Sequence, residues 1–130
     1  MQRLRDLMYG EQLELGQVDA LDLLVQTGSC RMNRLADALR VDASTATRTV
    51  NRLSAAGLVE RVADADDARA VRVQLTAEGA RVQEEVAERR GALFDRILTG
   101  FSPTEKAQLA DLLERLVAGV DGAVEEALDT

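Results

Sequence analysis

The sequence has no histidine, no tryptophan, one cysteine, one proline and only three aromatic residues. Each shortage excludes something. Without histidine there is no Ser-His-Asp or Cys-His catalytic group. The lone Cys30 forms no internal disulfide and lacks the partners of a usual zinc site. No apolar run approaches the ~18 residues that span a bilayer. The opening Met1-Gln2-Arg3-Leu4-Arg5-Asp6 carries no signal-peptide apolar stretch. A Gly-rich phosphate loop is also missing. These absences predict a cytoplasmic chain that is not an enzyme, binds no metal or other cofactor and makes no membrane contact.

What is present is one domain's worth of chain: 130 residues, 46% of them hydrophobic. The net charge is −7, from 16 basic and 23 acidic residues. Its distribution is uneven. Between positions 31 and 72 stand eight arginines against six acids, so a mildly basic middle is flanked by acidic ends.

Helical spacing appears over residues 3–9 (Leu4, Leu7, Met8), from Gln17 to Thr27, and from Met32 to Arg40. Gly10 and Gly16 predict a break or bend between the first two, and Gly28 a C-terminal stop. Ser29-Cys30-Arg31 is too short to assign by pattern. Asp42 is a good N-cap for a helix from Ala43 to Ala56, which Gly57 ends and Leu58 folds back upon. The period then changes to two. Leu58 to Ala63 and Ala70 to Leu75 suit the strands of a hairpin with the polar tip 64–69. A long helix from Thr76 to about Gly100 is expected to turn Val82, Val86, Leu93, Phe94, Ile97 and Leu98 inward. Ser102-Pro103-Thr104-Glu105 then starts a last helix, rich in leucine and valine.

Two short helices followed by a hairpin make a winged helix-turn-helix, whose second helix enters the DNA major groove. At about 100° per residue, Ala46, Val50 and Leu53 fall on one side of the helix from Ala43. Ser44, Thr45, Thr47, Arg48, Asn51 and Arg52 occupy the other, and that side of the helix carries no carboxylate. A carboxylate facing phosphate weakens binding, so its absence has a physical motive. Arg forks onto guanine, Asn pairs with adenine, and Ser or Thr holds phosphates. At the hairpin tip Arg69 suits a narrow minor groove. Asp64, Asp66 and Asp67 beside it repel phosphate, unless Asp67 holds the Arg69 side chain extended. A calcium loop is excluded, because Arg69 stands at its glycine position and Leu75 at its final glutamate position.

These motifs together resemble the MarR family of bacterial transcriptional regulators, from about Gln17 to Val120. The residues that carry the likeness are Leu35-Ala36 with Leu39, the run 44–53, Ala56-Gly57-Leu58-Val59-Glu60-Arg61, the run 66–71, and Leu75-Thr76-Ala77-Glu78-Gly79. The resemblance implies a mainly α chain with a small β-hairpin wing. Residues 17–75 would form the winged helix-turn-helix, and 1–16 and 76–130 the dimerisation helices of a single 1–130 domain. It also implies a homodimer on a pseudo-palindromic operator, acting as a ligand-responsive repressor. Double-stranded DNA and a small-molecule effector of unspecified identity are the implied partners. The family's Asp-x-Arg wing signature falls on Asp67 and Arg69, and its recognition contacts on Ser44, Thr45, Thr47, Arg48, Asn51 and Arg52. Two departures stand out: Ala68 occupies the place of a second wing arginine, and the N-terminal helix is short.

Dimerisation is also expected from the apolar length of the last helix, which exceeds what a winged-helix core covers. Cys30 reads as a buried small apolar residue before a redox sensor. The competing function is a winged-helix module for protein contacts that no longer binds DNA, which the −7 net charge and the acidic wing favour.

Overall fold

The computed structural model describes residues 13–129. The helix expected at 3–9 lies outside them. The order is α1 (Leu15–Thr27), β1 (Ser29–Arg31), α2 (Met32–Leu39), α3 (Ala43–Ala55), β2 (Val59–Ala63), β3 (Val71–Leu75), α4 (Ala77–Ile97) and α5 (Pro103–Asp129). This is the mainly helical winged fold expected. The chain divides into two units, the first ending at Ala92 and the second beginning at Leu93.

In the first unit α1 buries Val18, Ala20, Leu21 and Leu24. It starts two residues earlier than expected, so Gly16 lies within the helix rather than at a break. The Gln17 side chain accepts from the Glu14 backbone N–H at 2.8 Å and fixes that start. At the other end Gly28 has φ 78° and donates its N–H to Leu24 O at 2.9 Å. The segment left unassigned by pattern becomes β1, paired antiparallel with β3 through Cys30 opposite Val73. Strand order is β1-β3-β2. A three-residue strand has no periodicity of its own; a partner more than forty residues away defines it.

The core sits between these helices and the sheet: Leu21, Leu24, Leu35, Val50, Leu53, Val59 and Val73 are all at most 2% exposed. Leu58 closes it as expected. Its N–H reaches Leu53 O at 2.9 Å just after Gly57, whose φ is 77°. Thr76 ties the next helix to this turn. Its hydroxyl donates to Gly57 O at 2.6 Å and accepts from the Gly79 N–H at 3.0 Å. Gly79 therefore lies directly on Leu58, and a Cβ there would stand 1.8 Å from the Leu58 carbonyl oxygen. Further along α4, Val86 is buried, and Arg90 forks onto the Asp22 carboxylate of α1 at 2.9 and 3.3 Å.

In the second unit the start of α5 is capped reciprocally, as expected. Ser102 Oγ accepts from the Glu105 N–H at 3.1 Å, and Glu105 Oε1 accepts from the Ser102 N–H at 2.9 Å. Phe94 and Ile97, expected inward, are 49% and 56% exposed, and α5 buries none of its residues within one chain. Periodicity marks an apolar stripe correctly but says nothing of what covers it. Among the described residues no helix is long and apolar enough to cross a membrane.

Candidate nucleic-acid interface

Helix α3 is held by its apolar side. Ala46, Val50 and Leu53 are 0–1% exposed and anchor it against the core. Thr47, Arg48, Asn51 and Arg52 on the other side are exposed, as is Ser44, while Thr45 is half-buried. The Asp42 carboxylate starts the helix by accepting from the Thr45 N–H at 2.7 Å and from the Ser44 hydroxyl at 2.8 Å. The Thr45 backbone hydrogen bond is the main reason that the Asp42 pKa falls to about 2. Arg48 Nη2 donates to Thr45 Oγ1 at 3.4 Å, which points the guanidinium along the helix.

Three relationships on this face were not legible in the helix sequence alone. First, carboxylates reach it from outside α3. Asp42 engages Ser44, and Glu14 Oε2 accepts from Arg52 Nη1 at 2.8 Å. Second, Arg61 of β2 extends the face by donating from Nη2 to Asn51 Oδ1 at 2.5 Å. That bond leaves the Asn51 amide N–H groups directed elsewhere, and it locks sheet to helix. The signals for Arg61 were its place among the eight central arginines and in the run 56–61 that carries the family likeness, neither of which pairs it with Asn51. Third, two of those arginines serve the sheet, as the wing makes plain.

Asp64 stands at the base of the wing, only 6% exposed. Its Oδ2 accepts from Arg31 Nε at 2.8 Å and from Arg72 Nη1 at 3.2 Å. Its Oδ1 accepts from the backbone N–H groups of Asp66 and Asp67 at 2.8 and 3.2 Å. The Arg31 hydrogen bond leads in holding this carboxyl far below the ordinary carboxylate range. Asp64 is thus a clasp joining β1, β3 and the tip, not a repulsive tip charge. Asp67 also differs from expectation. Its Oδ1 accepts from the Arg69 backbone N–H at 2.9 Å, so it shapes the turn rather than steering the guanidinium. Arg69 itself is exposed at the tip. Cys30 is 7% exposed, and burial raises its thiol pKa against the pull of Arg34 and Arg72. A buried thiol held in its neutral form is a packing residue.

A family model described as "MarR family" matches residues 13–71. The regulator BilQ of Clostridium symbiosum, an HTH-type transcriptional regulator, is 31% identical over 110 residues, 82% of this chain and 74% of its own length. The chain belongs to the MarR family of transcriptional regulators. A MarR family protein from Bacillus stearothermophilus has a solved structure that matches with a TM-score of 0.79 at 30% identity. The match covers 92% of this chain and 84% of that one. A mutant MarR from E. coli, solved in complex with operator DNA, matches with a TM-score of 0.71 at 27% identity, covering 88% and 84%. The residues matched by the family model run from α1 through β2 and include α3 with its outward Arg48 and Arg52.

Proposed function

We propose that this chain is a sequence-specific, DNA-binding transcriptional regulator that acts as a homodimer on a pseudo-palindromic operator, represses from it and leaves it when a small molecule binds. The observation that carries the proposal is the division of α3. Its core side is sealed by Ala46, Val50 and Leu53, while Thr47, Arg48, Asn51 and Arg52 stand out from it. In this reading Arg48 and Arg52 fork onto guanine edges, Asn51 reads adenine, and Ser44, Thr45 and Thr47 take phosphates. Arg69, on a turn built by Asp67, enters the minor groove. Residues 17–75 supply this DNA-binding part. The E. coli MarR–operator complex, similar over most of both chains, supports it.

Residues 1–16 and 76–130 supply the dimer. Leu112, Leu116, Val120 and Val124 are each about half exposed or more along one side of α5, a stripe that suits a second copy. Two-fold symmetry then sets the recognition helices ~34 Å apart, one turn of duplex. A ligand releases DNA by favouring a geometry in which that spacing is lost.

The second reading, a protein-contact module, is favoured by the −7 net charge and by the exposed Asp66 and Asp67 at the wing. Duplex affinity measured against salt separates the two. Phosphate contacts make the affinity fall steeply and linearly on a log–log scale. A flat or absent response supports the module and removes the DNA-binding proposal.

A further inference from the structure

We infer, resting on the DNA-binding reading of α3, that Arg61 is a specificity-determining residue of that face: it sets which base Asn51 reads and turns the choice from adenine to guanine.

The sheet places Arg61 for this. On β2, Val59 and Arg61 are two residues apart and so point to the same side, and Val59 is 2% exposed in the core. Arg61 stands opposite Val73, itself 0% exposed. The Arg61 side chain therefore leaves the strand on the core side and, being exposed, runs past the edge of the core to α3. There its Nη2 donates to Asn51 Oδ1 at 2.5 Å. The neighbouring Glu60 faces the other way, where its Oε1 accepts from Gln74 Nε2 at 2.8 Å. Among the described residues Arg61 is in no ion pair, so no carboxylate draws its guanidinium away from Asn51.

The orientation of the Asn51 amide follows from chemistry. A guanidinium has donors and no acceptor, so the oxygen of the amide, and not its nitrogen, faces Arg61. The amide N–H groups are left over, and no acceptor among the described residues takes them. Asn51 is exposed, one turn beyond the exposed Thr47 on the outward side of α3. An asparagine reads adenine with two atoms at once, its oxygen accepting from N6 and its nitrogen donating to N7. With the oxygen held by Arg61, Asn51 offers donors only. Guanine presents two acceptors, N7 and O6, on its major-groove edge; thymine presents one, and cytosine only a donor. A group that only donates thus favours guanine over adenine, whose N6 amino group meets it donor to donor, and rejects cytosine. The bond to Arg61 also orders Asn51 before DNA arrives, which reduces what binding must fix.

The test is a competition between duplexes that differ only at the base pair assigned to Asn51, located as the position of the selected operator whose preference Asn51→Ala removes. The parent chain should favour guanine there over adenine by about fivefold or more. Arg61→Ala frees the amide oxygen and should bring adenine level with guanine or ahead of it. Arg61→Lys, which donates without accepting, should keep guanine. Asn51→Asp, which only accepts, should move the preference to cytosine. Circular dichroism of each variant should match that of the parent chain. A motif with no position that responds to Asn51→Ala, an adenine preference in the parent chain, or a guanine preference that persists in Arg61→Ala overturns the inference and leaves the DNA-binding reading standing. A uniform loss of affinity in Arg61→Ala, with the base choice unchanged, makes Arg61 a phosphate contact or a strut and overturns it as well. A parent chain that binds no duplex removes the DNA-binding reading itself, and the inference with it.

Discussion

Glu14 and Arg52 are joined at 2.8 Å across 38 positions of sequence, the carboxylate reaching from just before α1 to the outward side of α3. Both side chains are more than half exposed. An exposed pair of this kind is worth about 0.2–1 kcal/mol. It must open for Arg52 to reach a base or a phosphate. Glu14→Gln should therefore tighten duplex binding by about two- to fivefold, with the helical circular dichroism unchanged. Titration of a fluorescent duplex by anisotropy checks this.

Arg48→Ala with Arg52→Ala should remove specific duplex binding and leave the fold and the proposed dimer intact. Each forked guanine contact is worth about 1–3 kcal/mol, so the pair costs about a hundredfold or more in affinity. Neither side chain contributes to the core, and sedimentation should show the same assembly as for the parent chain. Unchanged duplex affinity would remove these two residues from the site.

Gly79 is small for a reason that no helix propensity supplies. A Cβ there meets Leu58 O at 1.8 Å and Leu58 C at 2.8 Å, both backbone atoms. Gly79→Ala should therefore destabilise the winged-helix lobe, by about 1–3 kcal/mol if the helix shifts to relieve the clash, although alanine is otherwise the better helix former. Urea unfolding checks it, with a lower midpoint expected and a similar slope.

The Asp64 clasp sets the acid limit. Its pKa in the folded chain lies below the unfolded value near ~3.9, and that of Asp42 falls to about 2. A depressed folded pKa gives stability that is fully present above the unfolded value and lost as pH falls toward the folded one. Melting temperature should therefore be flat in these two groups above about pH 5 and should drop between about pH 4 and pH 2. Asp64→Asn should melt lower at neutral pH, because Arg31 and Arg72 then face each other without a counter-charge. The gap from the parent chain should narrow as the pH is lowered.

Elements with local signals were legible in the sequence. The Asp42 cap, the Gly57–Leu58 turn and the Ser102–Glu105 box each close within a few residues, so residue types at fixed offsets determine them. The apolar and polar sides of α3 followed from angle alone. What sequence did not reveal depends on partners distant in the chain. Strand β1 exists because Val73 pairs with Cys30. Asp64 looked like a surface charge because Arg31 and Arg72 lie 33 and 8 positions away. The outward side of α3 looked free of carboxylate because Glu14 comes from another helix's start. Charge counting likewise overstated the free basic surface, since Arg31 and Arg72 hold the wing together.

The most direct test is selection of bound duplexes from a random DNA pool by the intact chain. The outward side of α3 should enrich an inverted repeat whose half-sites are centred about 10–10.5 base pairs apart, or a multiple of that, and the Arg48→Ala, Arg52→Ala variant should enrich nothing. A pool that stays random with the parent chain, or a motif that survives the double substitution, contradicts the assignment of that surface to DNA.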